Sequence, residues 1–374
     1  MQIRTQQSLL KTAASRLHGT ISDRTLSHIS IKADSTDGLM MTASDRVLSV
    51  YTRIDAVIEK PGTLFVPGKI FLDLVRELPE GEISLKQQGQ YLAVTTTGDS
   101  EFSMRIPLIQ DLEWVDSPRF SSNRFASVKS DRLRYMISQI QFCIAQDSPR
   151  AYGTVAYIHK PKKNVLRFVG TDGFRLSYCD TDGDWPDNFL EQGVCLSKRA
   201  VSELNRMASE GFDDIKLEFS DDATLLQVEV HDYTIYIRLS AVKFPNYQGV
   251  LPTANLNLVK VSRPQLQMVM RRVLLAADKS RALQLSFSDS SLTLSSRTQG
   301  SSEGKERIHI DGQKGGESQL YVNGRFLADV FGAISSEELT LQFKSDEDPI
   351  VVVPDSEIEH CKSMHVLVPI RDQS

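Results

Sequence analysis

Three separated stretches of the chain carry apolar residues at i, i+3 and i+7: Phe71/Leu74/Leu78, Val201/Leu204/Ala208 and Leu327/Val330/Ile334. On a helix that spacing makes one apolar stripe that must be buried. Each stretch opens on a base, places an acid four residues later and follows the acid with an aliphatic residue: Lys69, Asp73, Leu74; Arg199, Glu203, Leu204; Arg325, Asp329, Val330. After each helix the period falls to two, which predicts the strands Ile83-Ser84-Leu85, Ile215 to Phe219 and Leu339 to Phe343. The copies begin 130 residues apart (69 to 199) and then 126 apart (199 to 325), close to a third of the chain.

A further helix opens each third: Ser8 to Leu17, Leu133 to Ile144, and Leu266 to about Ala277. Thr5, Ser130 and Ser262 stand where N-caps belong. Each third closes on a strand: Phe102 to Ile106, Thr234 to Leu239, His365 to Val368. Another strand, Leu256 to Val261, precedes the last opening helix. Loop composition marks the links at Ser117 to Asn123 and Leu251 to Ala254. The reading is an α+β chain of three repeated domains, 1–122, 123–254 and 255–374. The period is far too long for a solenoid, so whole domains repeat.

Composition narrows the class. The chain has 374 residues, 40% hydrophobic and 24% charged, ordinary for a soluble multidomain protein. No run of 18 apolar residues is present, and the start, Met1-Gln2-Ile3-Arg4-Thr5, lacks a secretory apolar core; a cytoplasmic protein is expected. Cys143, Cys179, Cys195 and Cys361 have no CxxC spacing, so buried or idle thiols are expected rather than disulfides or zinc. The seven histidines are scattered, and neither metal nor cofactor is expected. A net charge of −5 argues against a uniformly basic nucleic-acid binder, though not against basic residues gathered on one surface.

Enzyme motifs are missing. No GxGxxG follows a strand and no GxSxG turn occurs. Gly300-Ser301-Ser302-Glu303-Gly304-Lys305 is one residue short of a phosphate loop, and Glu306 stands where Ser or Thr is required; Gly300 to Gly316 reads as a mobile polar loop. Asp213-Asp214 and Asp221-Asp222 sit at turns. Thr171-Asp172-Gly173 reads as a tight turn between the strands Leu166 to Val169 and Leu176 to Tyr178, with Phe174 and Arg175 beside it.

Four segments, in order, carry a resemblance over essentially the whole chain: Ala145-Gln146 ahead of Arg150; Thr171 to Leu176; Phe244-Pro245-Asn246-Tyr247 leading to Val250-Leu251-Pro252; and Val366 to Arg371. The chain resembles the beta subunit of bacterial DNA polymerase III, the sliding clamp. The resemblance implies a non-catalytic processivity factor: a head-to-tail homodimeric ring of DNA-clamp domains with helices lining the hole and sheets outside. Twelve helices spaced ~8–10 Å apart make a circle about 32–38 Å across, less about 10 Å for their own thickness, which passes a duplex.

On the residues alone, the repeated helix faces read equally as solvated surface with i,i+4 ion pairs or as phosphate-facing surface. The resemblance favours the second, with Lys11, Arg16, Arg24, Lys69, Arg76, Arg134, Lys198, Arg199, Arg206, Arg271 and Arg325 turned to DNA. Such contacts are blind to sequence and sensitive to salt.

The resemblance also implies a hydrophobic cleft for short Gln- and Leu/Phe-containing peptides of polymerases, the clamp loader, and mismatch-repair or ligase proteins. Its walls fall at Gly153, Thr171, Gly173, Phe174, Arg175, Leu176, Pro245, Gly249, Val250, Val368, Pro369, Ile370 and Arg371. Phe174 stands where the family often has His, and Gly153 and Gly249 where larger residues line the cleft, so a roomier pocket is expected. For the dimer seam the resemblance points to Phe102 and Met104 against Leu274 and Leu275 of the other subunit. Two alternatives are a β-rich peptide-binding scaffold that never encircles DNA, and an enzyme using the Thr171 to Leu176 loop.

Overall fold

The computed structural model describes the whole chain except residues 22–26, 97–100, 119, 121–124, 191, 253–256, 289, 299, 311–312, 315–316 and 371–374. The chain forms two compact units, Met1–Ser130 with Arg206–Leu239, and Asp131–Asn205 with Ser240–Ser374.

The first unit contains helices α1 (Gln7–Leu17) and α2 (Gly68–Glu77). Leu10, Leu17, Phe71 and Leu74 are buried, so the predicted stripes are the packed faces. Its five-stranded sheet runs Val57–Lys60, Gln2–Gln6, Glu82–Gln88, Tyr91–Thr96, Ser103–Pro107. Its eight-stranded sheet runs Phe125–Lys129, Asp214–Phe219, Leu225–Val230, Tyr233–Arg238, Leu48–Ile54, Gly38–Ser44, His28–Asp34, Gly62–Pro67. The closing strand of the second sequence third thus pairs with a strand of the first: Thr52 lies opposite Tyr233. In Leu225–Val230, Leu226, Val228 and Val230 are buried while the residues between them are not, the pattern of a sheet with one face on the core.

The second unit contains most of α3 (Ser130–Ile140) and α4 (Lys198–Ala208), and all of α5 (Arg263–Val273) and α6 (Gly324–Ala333). A nine-stranded sheet runs Val194–Ser197, Val155–Lys162, Val165–Thr171, Arg175–Asp182, Cys361–Leu367, Ile350–Pro354, Glu338–Phe343, Asn257–Ser262, Gln313–Lys314. A four-stranded sheet runs Glu303–His309, Ser291–Arg297, Ala282–Ser288, Ser318–Asn323. Val269, Leu285, Leu327, Phe331 and Leu341 belong to its main apolar core.

Two expectations are corrected. None of the three expected caps accepts a helix N–H: Thr5 lies in a strand and its Oγ1 donates to Asp55 O at 2.6 Å. Ser130 is already helical with its hydroxyl buried, and Ser262 caps only by its backbone. At all three junctions a strand runs directly into the helix. Side-chain caps stand instead at Ser197, whose Oγ accepts from Ala200 N at 3.3 Å, and at Asn323, whose Oδ1 accepts from Arg325 N and Phe326 N at 3.0 and 3.3 Å; both also end a strand that runs into a helix. Within the expected loop 300–316, Glu303–His309 is an edge strand paired with Ser291–Arg297. Its polar alternation is that of an edge facing solvent.

Candidate functional site

The turn Asp172-Gly173-Phe174 is built from its own side chains. Asp172 Oδ1 accepts from Phe174 N at 3.0 Å and Arg175 N at 3.1 Å. Thr171 Oγ1 donates to Arg175 O at 2.7 Å and accepts from Gly173 N at 3.1 Å. Gly173 has φ +88°, and a Cβ there would meet the Arg150 guanidinium. The turn holds Phe174 outward, 58% exposed, with Arg150 5.6 Å from its ring centre and Phe326 of α6 at 6.5 Å.

Arg175 is buried, not a free wall of the cleft as expected. Its Nε pairs with Asp172 Oδ2 at 3.0 Å, its Nη1 with Asp329 Oδ2 at 2.7 Å, and its Nη2 donates to Phe142 O at 2.6 Å. It stacks 4.3 Å from the centre of Phe326. Every donor group of the fork is spent inside the protein, so Arg175 positions the turn.

Beside the turn, Val368 N donates to Phe174 O at 2.9 Å, which sets the segment after Cys361–Leu367 against Phe174. Leu176 is buried in a cluster with Val169, Tyr247, Val351 and Val366. Phe174, Val250 and Val368 are each about half exposed around it, and Pro245 and Gly249 are exposed; Pro369 and Ile370 are half-buried. Ile370 N donates to Tyr321 O at 2.7 Å. Behind the cluster Tyr157 stacks on Phe244 at 4.9 Å, and Tyr247 OH lies 2.7 Å from His159 Nε2. Burial, reinforced by the nearby Arg167 cation, pushes His159 down to about 4. These aromatic residues were not anticipated; only the Phe244 to Tyr247 segment hinted at them.

Gly153 is buried, and a Cβ on it would stand 3.0 Å from Ser148 Oγ. Its lost side-chain volume is filled from within, so it opens no room. Gly249 has nothing within 4 Å of its would-be Cβ, and there the extra space is real. Arg371 lies outside the described residues.

The candidate DNA-facing bases divide. Lys11, Lys69, Arg76, Arg134, Arg199, Arg271 and Arg325 are exposed on helices, and Lys198 is half-buried. Arg76 makes a weak pair with Asp73 at 3.4 Å. Arg16 differs: it is 6% exposed, paired with Glu210 at 2.9 Å and Asp232 at 3.1 Å, with Tyr233 4.8 Å below. Arg206 donates to Ser15 O, Arg16 O and Tyr233 OH. Arg16 and Arg206 therefore brace the first unit rather than meet solvent. Arg24 lies outside the described residues.

Two of the sheet edges lie at the expected seam residues. Ser103–Pro107, carrying the half-buried Met104 and following the half-buried Phe102, is the edge of the five-stranded sheet. Glu303–His309 is the edge of the four-stranded sheet. Close to that edge, Gly304 approaches Val273 and Ala276, so the turn Leu274–Ala276 lies alongside, with Leu275 85% exposed.

Three family models match the chain in succession: the DNA polymerase III beta subunit N-terminal domain over residues 1–115, its central domain over 127–246 and its C-terminal domain over 248–371. The chain belongs to the DNA polymerase III beta-subunit family. The beta sliding clamp of Pseudomonas aeruginosa is 27% identical over 338 residues, 89% of each chain. That of Escherichia coli is 25% identical over 348 residues, 91% of this chain and 90% of the relative. The crystal structure of the Pseudomonas aeruginosa subunit matches with a TM-score of 0.88 at 23% identity, covering both chains fully. A second structure of a clamp from that organism, bound to griselimycin, matches at 0.88 and 24%. The family supplies the function: this is a DNA sliding clamp, a processivity factor of DNA polymerase III without catalysis of its own. Among the described residues no helix is long and apolar enough to cross a membrane.

Proposed function

We propose that two copies of the chain, each divided into domains 1–122, 123–254 and 255–374, close head to tail around duplex DNA in the cytoplasm. The seam joins the edge at Phe102 and Met104 to the edge beside Leu274 and Leu275 of the second copy. Open backbone on both edges supports this, since an unpaired strand edge is a template for pairing. Lys11, Lys69, Arg76, Arg134, Lys198, Arg199, Arg271 and Arg325 face the phosphates; their exposure on helices supports that role.

The cleft around Leu176 holds partner peptides of the polymerase, the clamp loader and repair proteins. The observation that carries this reading is that the exposed apolar side chains Phe174 and Val368, joined by the bond from Val368 N to Phe174 O, and Val250 lie on the same segments that supply the buried apolar floor of Leu176, Val366 and Tyr247. Exposed apolar side chains gathered in a recess mark a binding site.

Loading by the cognate clamp loader and ATP onto nicked circular plasmid, then linearisation in high salt, tests the ring. Retention on circles with loss from linear ends is expected. Equal loss from both would leave a purely electrostatic binder and favour the scaffold reading.

A further inference from the structure

The turn that presents Phe174 has a counterpart in the first unit. Between Gly38–Ser44 and Leu48–Ile54, Asp45 Oδ1 accepts from Val47 N at 2.7 Å and Leu48 N at 2.9 Å, as Asp172 does for Phe174 and Arg175. Arg238 N donates to Val47 O at 2.8 Å, the counterpart of the bond from Val368 to Phe174. The register continues the match: Tyr236 lies opposite Ser49 as Val366 lies opposite Leu176. Trp114 stands in for Tyr247, with Lys32 Nζ 5.5 Å from its ring, and Lys32 holds the strand position that His159 holds.

The backbone is repeated but the side chains are not. Leu176 and Val366 give way to Ser49 and Tyr236, and Phe174 and Val368 to Val47 and Arg238. Ser44 Oγ and Ser49 Oγ lie 2.6 Å apart, and the Tyr51 ring stands edge-on to Tyr236 at 5.5 Å. Tyr51 OH donates to Val115 O at 3.4 Å, and Val115 is 70% exposed at the rim. Arg46, next to Val47, and Arg238 are exposed, and neither has an ion pair among the described residues. The loop acid Asp116 accepts from Trp114 Nε1 at 3.0 Å, and Asp45 Oδ1 holds its turn. In a chain of net charge −5, two guanidinium groups with no ion pair among the described residues flank one backbone hydrogen bond beside aromatic edges.

We propose that this recess is a second docking site, for an acidic peptide segment of a partner protein. Its carboxylates pair with Arg46 and Arg238, where charge-assisted bidentate bonds are strong. A neighbouring apolar side chain lies against Val47 and Val115. The inference leans on the reading of the Leu176 cleft only for the class of ligand.

The test uses the full-length chain and two fluorescein-labelled peptides, one Glu-Asp-Phe-Glu-Asp with a benzophenone photocrosslinker, one Gln-Leu-Ala-Leu-Phe. The acidic peptide is expected to bind, to crosslink within residues 44–51, 112–117 or 236–239, and to bind about tenfold or more weakly to the double variant Arg46→Glu, Arg238→Glu. The same variant should hold the Gln-Leu-Ala-Leu-Phe peptide unchanged, which also shows that it is folded. No binding of the acidic peptide, crosslinks elsewhere, or affinity indifferent to the charge reversal overturns the second site. Failure of the Gln-Leu-Ala-Leu-Phe peptide alone counts against the Leu176 cleft instead.

Discussion

Arg175 reaches from the turn that presents Phe174 to Asp329 on α6, Nη1 to Oδ2 at 2.7 Å, and so fixes the cleft to the helix beside it. Removing the cation leaves Asp172 and Phe142 O without their partner in a buried setting. Arg175→Ala should lower stability by about 3 kcal/mol in chemical denaturation. Arg175→Lys should recover only part, because one ammonium does not reproduce the three-sided fork. A loss of peptide affinity with unchanged stability would contradict the positioning role.

Arg16 and Lys11 share α1 but should behave oppositely. Arg16→Ala removes a buried cation that is hydrogen-bonded to the solvent-facing Glu210 and Asp232, and is expected to cost about 2 kcal/mol of stability. Lys11→Ala is expected to leave the melting transition in place. It should flatten the dependence of log affinity on log salt for duplex DNA by about 0.9. Equilibrium binding across a salt series, beside thermal melts, separates the two.

Phe174→Ala removes an exposed ring, so stability should hold while affinity for a Leu/Phe-bearing peptide falls about tenfold or more. The two cleft glycines provide a paired control. Gly249→Lys should be neutral to within about 0.5 kcal/mol, since its side chain enters open space. Gly153→Leu should cost about 1–3 kcal/mol by pressing on Ser148 and Asp172.

His365 is wholly buried, its ring nitrogens facing Ser177 Oγ at 3.0 Å and Ser363 Oγ at 3.5 Å, beside Phe142. Burial pushes it down to about 3, below the ordinary value near 6.5. A base with a depressed folded value binds its proton more readily once unfolded. Its contribution is therefore complete above about pH 6.5 and is lost toward pH 3, at about 1.4 kcal/mol per pH unit. His365→Gln should remove that much slope from stability measured between pH 4 and 6. An unchanged slope would place the acid sensitivity elsewhere.

Much of the fold was legible because the repeat is written in side-chain period. Phe71, Val201 and Leu327 fall at matching points of three helices, and all three are buried as their spacing demands. Cap chemistry at Thr5, Ser130 and Ser262 misled, because a Ser or Thr before an apolar run looks the same whether its hydroxyl turns back to the helix, as at Ser197, or is used elsewhere, as Thr5 donates to Asp55 O. The polarity of Glu303–His309 disguised an edge strand for the same local reason. At the site, sequence located the Thr171 to Leu176 turn but not the orientation of its members. That Phe174 points out and Arg175 in depends on Asp329, more than 150 residues away, and no local pattern records it. Arg16 similarly looked like its exposed neighbour Lys11 until Glu210 and Asp232 closed over it.

Thr52 lies opposite Tyr233, and the strand Leu48–Ile54 has no other neighbour on that side. During translation this edge therefore emerges from the ribosome and waits, unpaired, while nearly half the chain is still being made. Only when Arg238 has cleared the exit tunnel does the eight-stranded sheet close. Contacts so distant in sequence slow folding and leave a sticky edge open meanwhile. A truncation after residue 122 leaves this sheet unfinished.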